Sequence, residues 1–108
     1  MKSLYRAISM DELNDWTESG VLRSGTNTLE GKQFFESEIG VKNFTQLIKQ
    51  RNFEPPYICF LKIRVDEHCL NKINFDRQIL DQHMAITIFE SDLKQFNACI
   101  KKAEKYEF

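Results

Sequence analysis

Long apolar runs, an excess of charge and an even set of cysteines are all missing from this sequence of 108 residues. No stretch is apolar for long enough to span a bilayer, and no N-terminal stretch carries the apolar core of a signal peptide. The net charge is −1, with acids and bases interspersed. That balance excludes the basic block or stripe of a dedicated nucleic-acid or membrane-surface protein. The three cysteines, Cys59, Cys69 and Cys99, are far apart and odd in number, whereas a secreted disulfide framework favours an even set. Zinc sites favour close ligand pairs that a turn aims at one ion. Here only His68 and Cys69 are close, and neighbouring side chains on a strand or helix diverge. These absences predict a soluble, cytoplasmic protein with three buried, reduced thiols, no metal, no membrane and no nucleic-acid partner. Nor is there a repeat, a low-complexity tract or a linker, so residues 1–108 are expected to form one domain.

What is present is a set of clear periodicities. Nine phenylalanines supply large pieces of core. "SLYRAIS", Ser3 to Ser9, reads as a strand with Leu4, Arg6 and Ile8 on one face and Tyr5 and Ala7 on the other. The arginine between two aliphatic residues raises the question of its partner, because a charge is not buried alone. Ser9 and Glu12 fit a capping box that opens a helix over Met10–Ser19, with Leu13 and Trp16 on its apolar stripe and Gly20 as its stop. Gly25, Asn27 and Gly31 punctuate a loop. "KQFFES" is a short strand in which Phe34 and Phe35 divide between two faces, and Ser37 caps a helix over Glu38–Gln50 lined by Val41, Phe44 and Ile48.

Pro55-Pro56 forces an extended chain into Tyr57–Val65, the strongest strand. Its Tyr57, Cys59, Leu61, Ile63 and Val65 make one apolar face, while the other passes from Ile58 and Phe60 to Lys62 and Arg64. That pattern predicts a strand covered on both sides at its start and open at its end. Asp66 to His83 reads as irregular, with a helical turn around Leu70. Met84–Glu90 is a further strand, Ser91 starts a short helix through Leu93, Phe96 and Ile100, and "AEKYEF" forms an edge strand with Tyr106 and Phe108 on one face. The order βαβαββαβ predicts an α+β domain, a small mixed sheet flanked by helices.

"LYRAIS", the short helix ending "ESG", and "GKQFFES" running into a helix resemble small bacterial domains of the ADP-ribosyltransferase superfamily. "YICFLKIRVDEHCL" followed by "MAITIFESDLKQFN" resembles the later part of such domains, so the likeness runs in order along nearly the whole chain. Its most specific pieces are Tyr5-Arg6 and Gly31 to Ser37. The resemblance implies an ADP-ribosyltransferase-like fold with an NAD-binding cleft. Arg6 would hold the phosphate or ribose side of NAD, where a guanidinium pairs well with phosphate oxygens. Ser37 would brace the ribose, and Lys32 would lie near the loop covering the ligand. The family's catalytic glutamate begins a late strand. Here Phe75 to His83 contains no glutamate, and Asp81, Gln82 and His83 are the nearest candidates. The implied activity is therefore weak or absent, because that carboxylate stabilises the cationic centre of the transition state.

The residues keep a plainer set of readings open. Arg6 also suits a strand position whose stem packs on Leu4 and Ile8 while its head meets a carboxylate. Gly31-Lys32 suits a turn glycine and an exposed lysine, Ser37 a helix cap, Trp16 core packing, and His83 a structural or exposed role. The chain is then a non-catalytic protein-binding or accessory module on a small α+β fold. A cleft lined by Arg6, Ser37 and Asp81 would favour the enzyme-like reading. A site filled by Phe34, Phe35 or Trp16 would favour the binding module.

Overall fold

A computed structural model describes residues 1–23, 31–52, 56–80 and 82–108. The loop positions Gly25 and Asn27, the first proline of Pro55-Pro56 and the site candidate Asp81 lie outside the described residues.

The chain opens with strand β1, Lys2–Ser9, and turns directly into helix α1, Met10–Ser19. Ser9 accepts from the Glu12 amide at 3.5 Å, and Gly20 closes the helix at φ 74°, the left-handed conformation that glycine adopts without strain. Strand β2, Gly31–Phe35, leads into helix α2, Glu38–Gln50, capped by Ser37. Strand β3 spans Tyr57–Val65 and is followed by the single helical turn α3, Glu67–Leu70, around the expected Leu70. Strands β4, Phe75–Leu80, and β5, His83–Phe89, form a hairpin. A 3-10 turn, Glu90–Asp92, then precedes helix α4, Leu93–Cys99, and strand β6, Ile100–Glu107.

The six strands form one sheet in the order β4-β5-β2-β1-β3-β6. Every neighbouring pair is antiparallel. The α+β class stands, and the expected mixed sheet is corrected to an antiparallel one. Only α1 joins antiparallel neighbours, β1 and β2; α2, α3 and α4 each carry the chain to a strand of the same direction, and other strands lie between, so no parallel strands are neighbours. The joint between the two halves is thin. β1 and β2 pair at a single position, Tyr5↔Phe35, whereas β1 and β3 pair at eight. A seam therefore divides β4-β5-β2 from β1-β3-β6.

Period-2 alternation sorts the apolar residues onto two faces. The face under α1, α3 and α4 holds the larger core, with Leu4, Ile8, Phe34, Leu61, Ile63, Ile86, Ile88 and Phe96. The face under α2 holds Ala7, Phe35, Val41, Phe60 and Ala85. Phe34 and Phe35 divide between the two as expected, and Trp16 packs on the larger core. The second face of β3 opens towards its end, where Arg64 is exposed.

Two boundaries and one covalent bond differ from expectation. The stretch read as irregular contains β4, because an edge strand of sequence "FDRQIL" exposes its middle and carries no apolar alternation. The last helix stops at Cys99, and Ile100 opens a longer β6 because it pairs with Val65. Cys69 and Cys99 form a disulfide, with Cα atoms 5.6 Å apart, which corrects the expectation of three reduced thiols. The cause is long-range. Pairing of β3 with β6 brings α3 beside the end of α4, where the Asp66 amide donates to the Cys99 carbonyl at 3.0 Å. Cys59 alone remains a free, buried thiol. Among the described residues no helix is long and apolar enough to cross a membrane.

Candidate functional site

Arg6 points into the larger core face, and its partner comes from the very next element. Because α1 starts immediately after β1 and folds back over that face, its third residue, Glu12, lands on the guanidinium. Arg6 Nε and Nη2 donate to the two Glu12 carboxylate oxygens at 2.7 and 2.8 Å, a bidentate pair. Arg6 Nη1 reaches across the seam and donates to the Gln33 carbonyl at 3.0 Å. The Phe34 ring covers the head, with its centroid 5.8 Å from Arg6 Cζ. Glu12 thus abandons the return half of its capping box for a stronger, charged partner.

Lys32, at the start of β2 on the same face, brings a second cation. Its Nζ lies 3.5 Å from the Glu12 carboxylate, and its side chain is only 2% exposed. Among the described residues one carboxylate therefore serves two cations, Lys32 buried and Arg6 partly buried, leaving an excess positive charge at the seam. Burial, followed by the charge of Arg6, pushes the Lys32 ammonium below its ordinary pKa, against the opposing pull of Glu12. For Glu12, burial raises the carboxyl, but the hydrogen bonds and charges of Arg6 and Lys32 outweigh it and hold the group below the ordinary carboxylate value. The plainer reading of the sequence makes Lys32 an exposed lysine after a turn glycine, and the structure corrects this by burying it; the alternation Lys32, Phe34, Glu36 carries the signal that it faces inward with Phe34.

A second ion cluster occupies the other end of β2. Glu36 is held by Lys2 Nζ at 2.6 Å and by Arg77 Nε at 3.2 Å, while its amide donates to the Met84 carbonyl at 3.0 Å. This cluster joins β1, β2 and β4 and was not legible in the sequence, because Arg77 lies in the strand that read as irregular.

The remaining candidates gather elsewhere. Ser37 accepts from the Gly40 amide at 3.0 Å as the cap of α2, on the opposite side of the sheet from Arg6. Gln82 sits in the β4–β5 turn at φ 71°, an uncommon conformation for a residue with a side chain. His83 opens β5, and its Nε2 meets Asn43 Nδ2 of α2 at 3.0 Å. Gly40 packs so closely on His83 and Ser37 that a Cβ there would stand 3.1 Å and 3.0 Å from them. Ser37 and His83 thus meet at the start of α2, whereas Arg6 and Lys32 meet under α1. No three metal-ligating side chains gather among the described residues. Comparisons with protein-family models, with curated proteins and with solved structures find no match to this chain.

Proposed function

We propose that the chain is an ADP-ribosyltransferase-like domain that takes NAD, through its pyrophosphate, at the seam between the two half-sheets, with weak or absent transfer activity. The observation that carries this reading is the shared carboxylate. Among the described residues Arg6 and Lys32 are both salt-bridged to the one carboxylate of Glu12, with Asp15 acting on Lys32 at longer range, and a diphosphate would neutralise the charge that Glu12 leaves over. The ligand would displace Glu12 from Arg6, exchanging one bidentate partner for another. Transfer is weak because β5, His83–Phe89, carries no carboxylate. Gln82 hydrogen-bonds but supplies no negative charge to a cationic transition state. Ser37, as the cap of α2 on the opposite side of the sheet, has no part in this site.

A second reading rests on an equally specific observation. Nε, Nη1 and Nη2 of Arg6 are all used internally, and Phe34 covers the group. On this reading the ion cluster is structural and the chain is a non-catalytic protein-binding or accessory module. The Cys69–Cys99 bridge removes the reduced thiols that agreed with a cytoplasmic location.

Calorimetric titration with NAD separates the two readings. The nucleotide reading expects saturable binding that tightens in Glu12→Gln, which frees Arg6, and weakens about tenfold or more in Lys32→Met. Lys32→Met is the cleaner variant, since it removes the second cation and leaves the bidentate Arg6–Glu12 pair intact. Absence of binding in folded wild-type protein, or binding indifferent to both substitutions, removes the nucleotide reading.

A further inference from the structure

A cleft of about 760 Å³ opens on the α2 side of the sheet, between that helix and the start of β3. Its volume lies within the range of small-molecule sites. Lys42, Gln46 and Lys49 line it from the helix, Asn52 from the turn after it, Tyr57 from the start of β3 and Phe108 from just beyond β6. Lys42 and Lys49 are seven residues apart, so two turns of helix place both amines along one face, about 10 Å apart along the axis. Among the described residues no carboxylate side chain belongs to the lining. Glu38 touches Lys42 from outside it, at 3.6 Å.

The aromatic side is equally organised. Phe60 lies 5.3 Å from Phe108 and 5.6 Å from Tyr106, centroid to centroid, and Phe44 lies 5.9 Å from Tyr57. The Lys42 amine stands 5.9 Å from the Phe60 centroid. A cationic rim thus faces a row of rings. From this geometry we infer a binding site for a small aromatic anion. Its ring lies against Phe108 and Tyr57, and its phosphate, sulfate or carboxylate reaches Lys49 and Lys42. The neutral partners Gln46 and Asn52 supply further hydrogen bonds without repelling charge. The site is separate from the seam. Arg6 faces the core under α1, so failure of NAD binding leaves this inference untouched.

The test uses the full chain and 1-naphthyl phosphate, followed by amide chemical shifts, with 1-naphthol and inorganic phosphate as comparisons. The expected result is saturable binding that shifts the α2, Tyr57 and Phe108 resonances. Lys49→Ala and Lys42→Ala should each weaken it about three- to tenfold, as loss of an exposed charge-assisted contact would. Both positions are exposed, so the variants should fold. Phe108→Ala should weaken it as well, while Lys94→Ala, at an exposed position of α4 on the other face of the sheet, should leave it unchanged. Equal affinity for 1-naphthol would show an apolar groove and overturn the inference. So would binding indifferent to both lysines, shifts centred on Trp16 and α1, or no saturable binding at all.

Discussion

Glu12 is the residue on which the electrostatics of the larger core depend. It neutralises Arg6 in a bidentate pair and Lys32 at longer range, and its side chain is 19% exposed. Removing its charge leaves two cations without a counterion in a mostly buried place. Glu12→Gln is therefore expected to lower folding stability by about 2–4 kcal/mol, read from urea denaturation. Its pH dependence has a definite sign. The folded Glu12 carboxyl titrates below the ordinary value, so the unfolded state binds its proton first on acidification. The contribution is complete above the unfolded value of about 4.3. It is lost as pH falls through the folded value. The stability difference between wild type and Glu12→Gln should shrink as pH falls from about 5 through the folded value. A difference constant over that range would mean that the pair contributes nothing by its charge. This partner for Arg6 was half visible in the sequence. The strand pattern showed a cation needing a carboxylate, but the S-x-x-E spacing assigned Glu12 to the helix cap instead.

At the scale of elements, two glycines show what a one-dimensional pattern cannot. Gly31 opens β2, where a Cβ would stand 2.5 Å from the Ile88 carbonyl oxygen of β5. Gly40 in α2 leaves room for Phe35, Ser37 and His83, with a Cβ meeting them at 3.0–3.1 Å. The first contact is with backbone and cannot give way without moving a strand. The second is with side-chain atoms that can shift by a few tenths of an ångström. Gly31→Ala should therefore cost about 1–3 kcal/mol, and Gly40→Ala distinctly less, by urea midpoint; the reverse order would contradict the packing described. The sequence reads Gly31 as a turn that also opens the resembling segment to Ser37, and assigns Gly40 no role, because close approach between non-adjacent segments leaves no local trace. What it did read were elements whose own periodicity decides them. β1, α1, α2 and β3 follow from alternation, caps and the proline stop. β4 did not, because an edge strand has no buried face of its own to write a pattern.

For the whole molecule, the decisive fact is how weakly the two half-sheets are tied by backbone and where the covalent tie lies. β1 and β2 share one paired position. The β4–β5 hairpin and α4 form an excursion from the β1-β3-β6 half, leaving after α3 and returning at β6. The Cys69–Cys99 bridge closes that excursion at its root, over a sequence separation of 30. Closing a loop of this length removes conformational freedom from the unfolded chain, on the order of 3–4 kcal/mol in stability. Reduction with dithiothreitol, or the double substitution Cys69→Ala with Cys99→Ala, should lower stability by a similar amount. It should also speed amide exchange in β4 and β5 more than in β1 and β3, because only the excursion loses its tether. Cys59 provides an internal check. It is 1% exposed, and burial, more than the nearby Glu107 charge, raises its pKa above the ordinary thiol value. It should resist alkylation in the folded, unreduced protein and react once the protein is unfolded. Denatured but unreduced protein should thus take up one alkyl group, and reduced protein three. Uptake of three without reduction would show that the bridge does not form, and the excursion would then be held by packing alone.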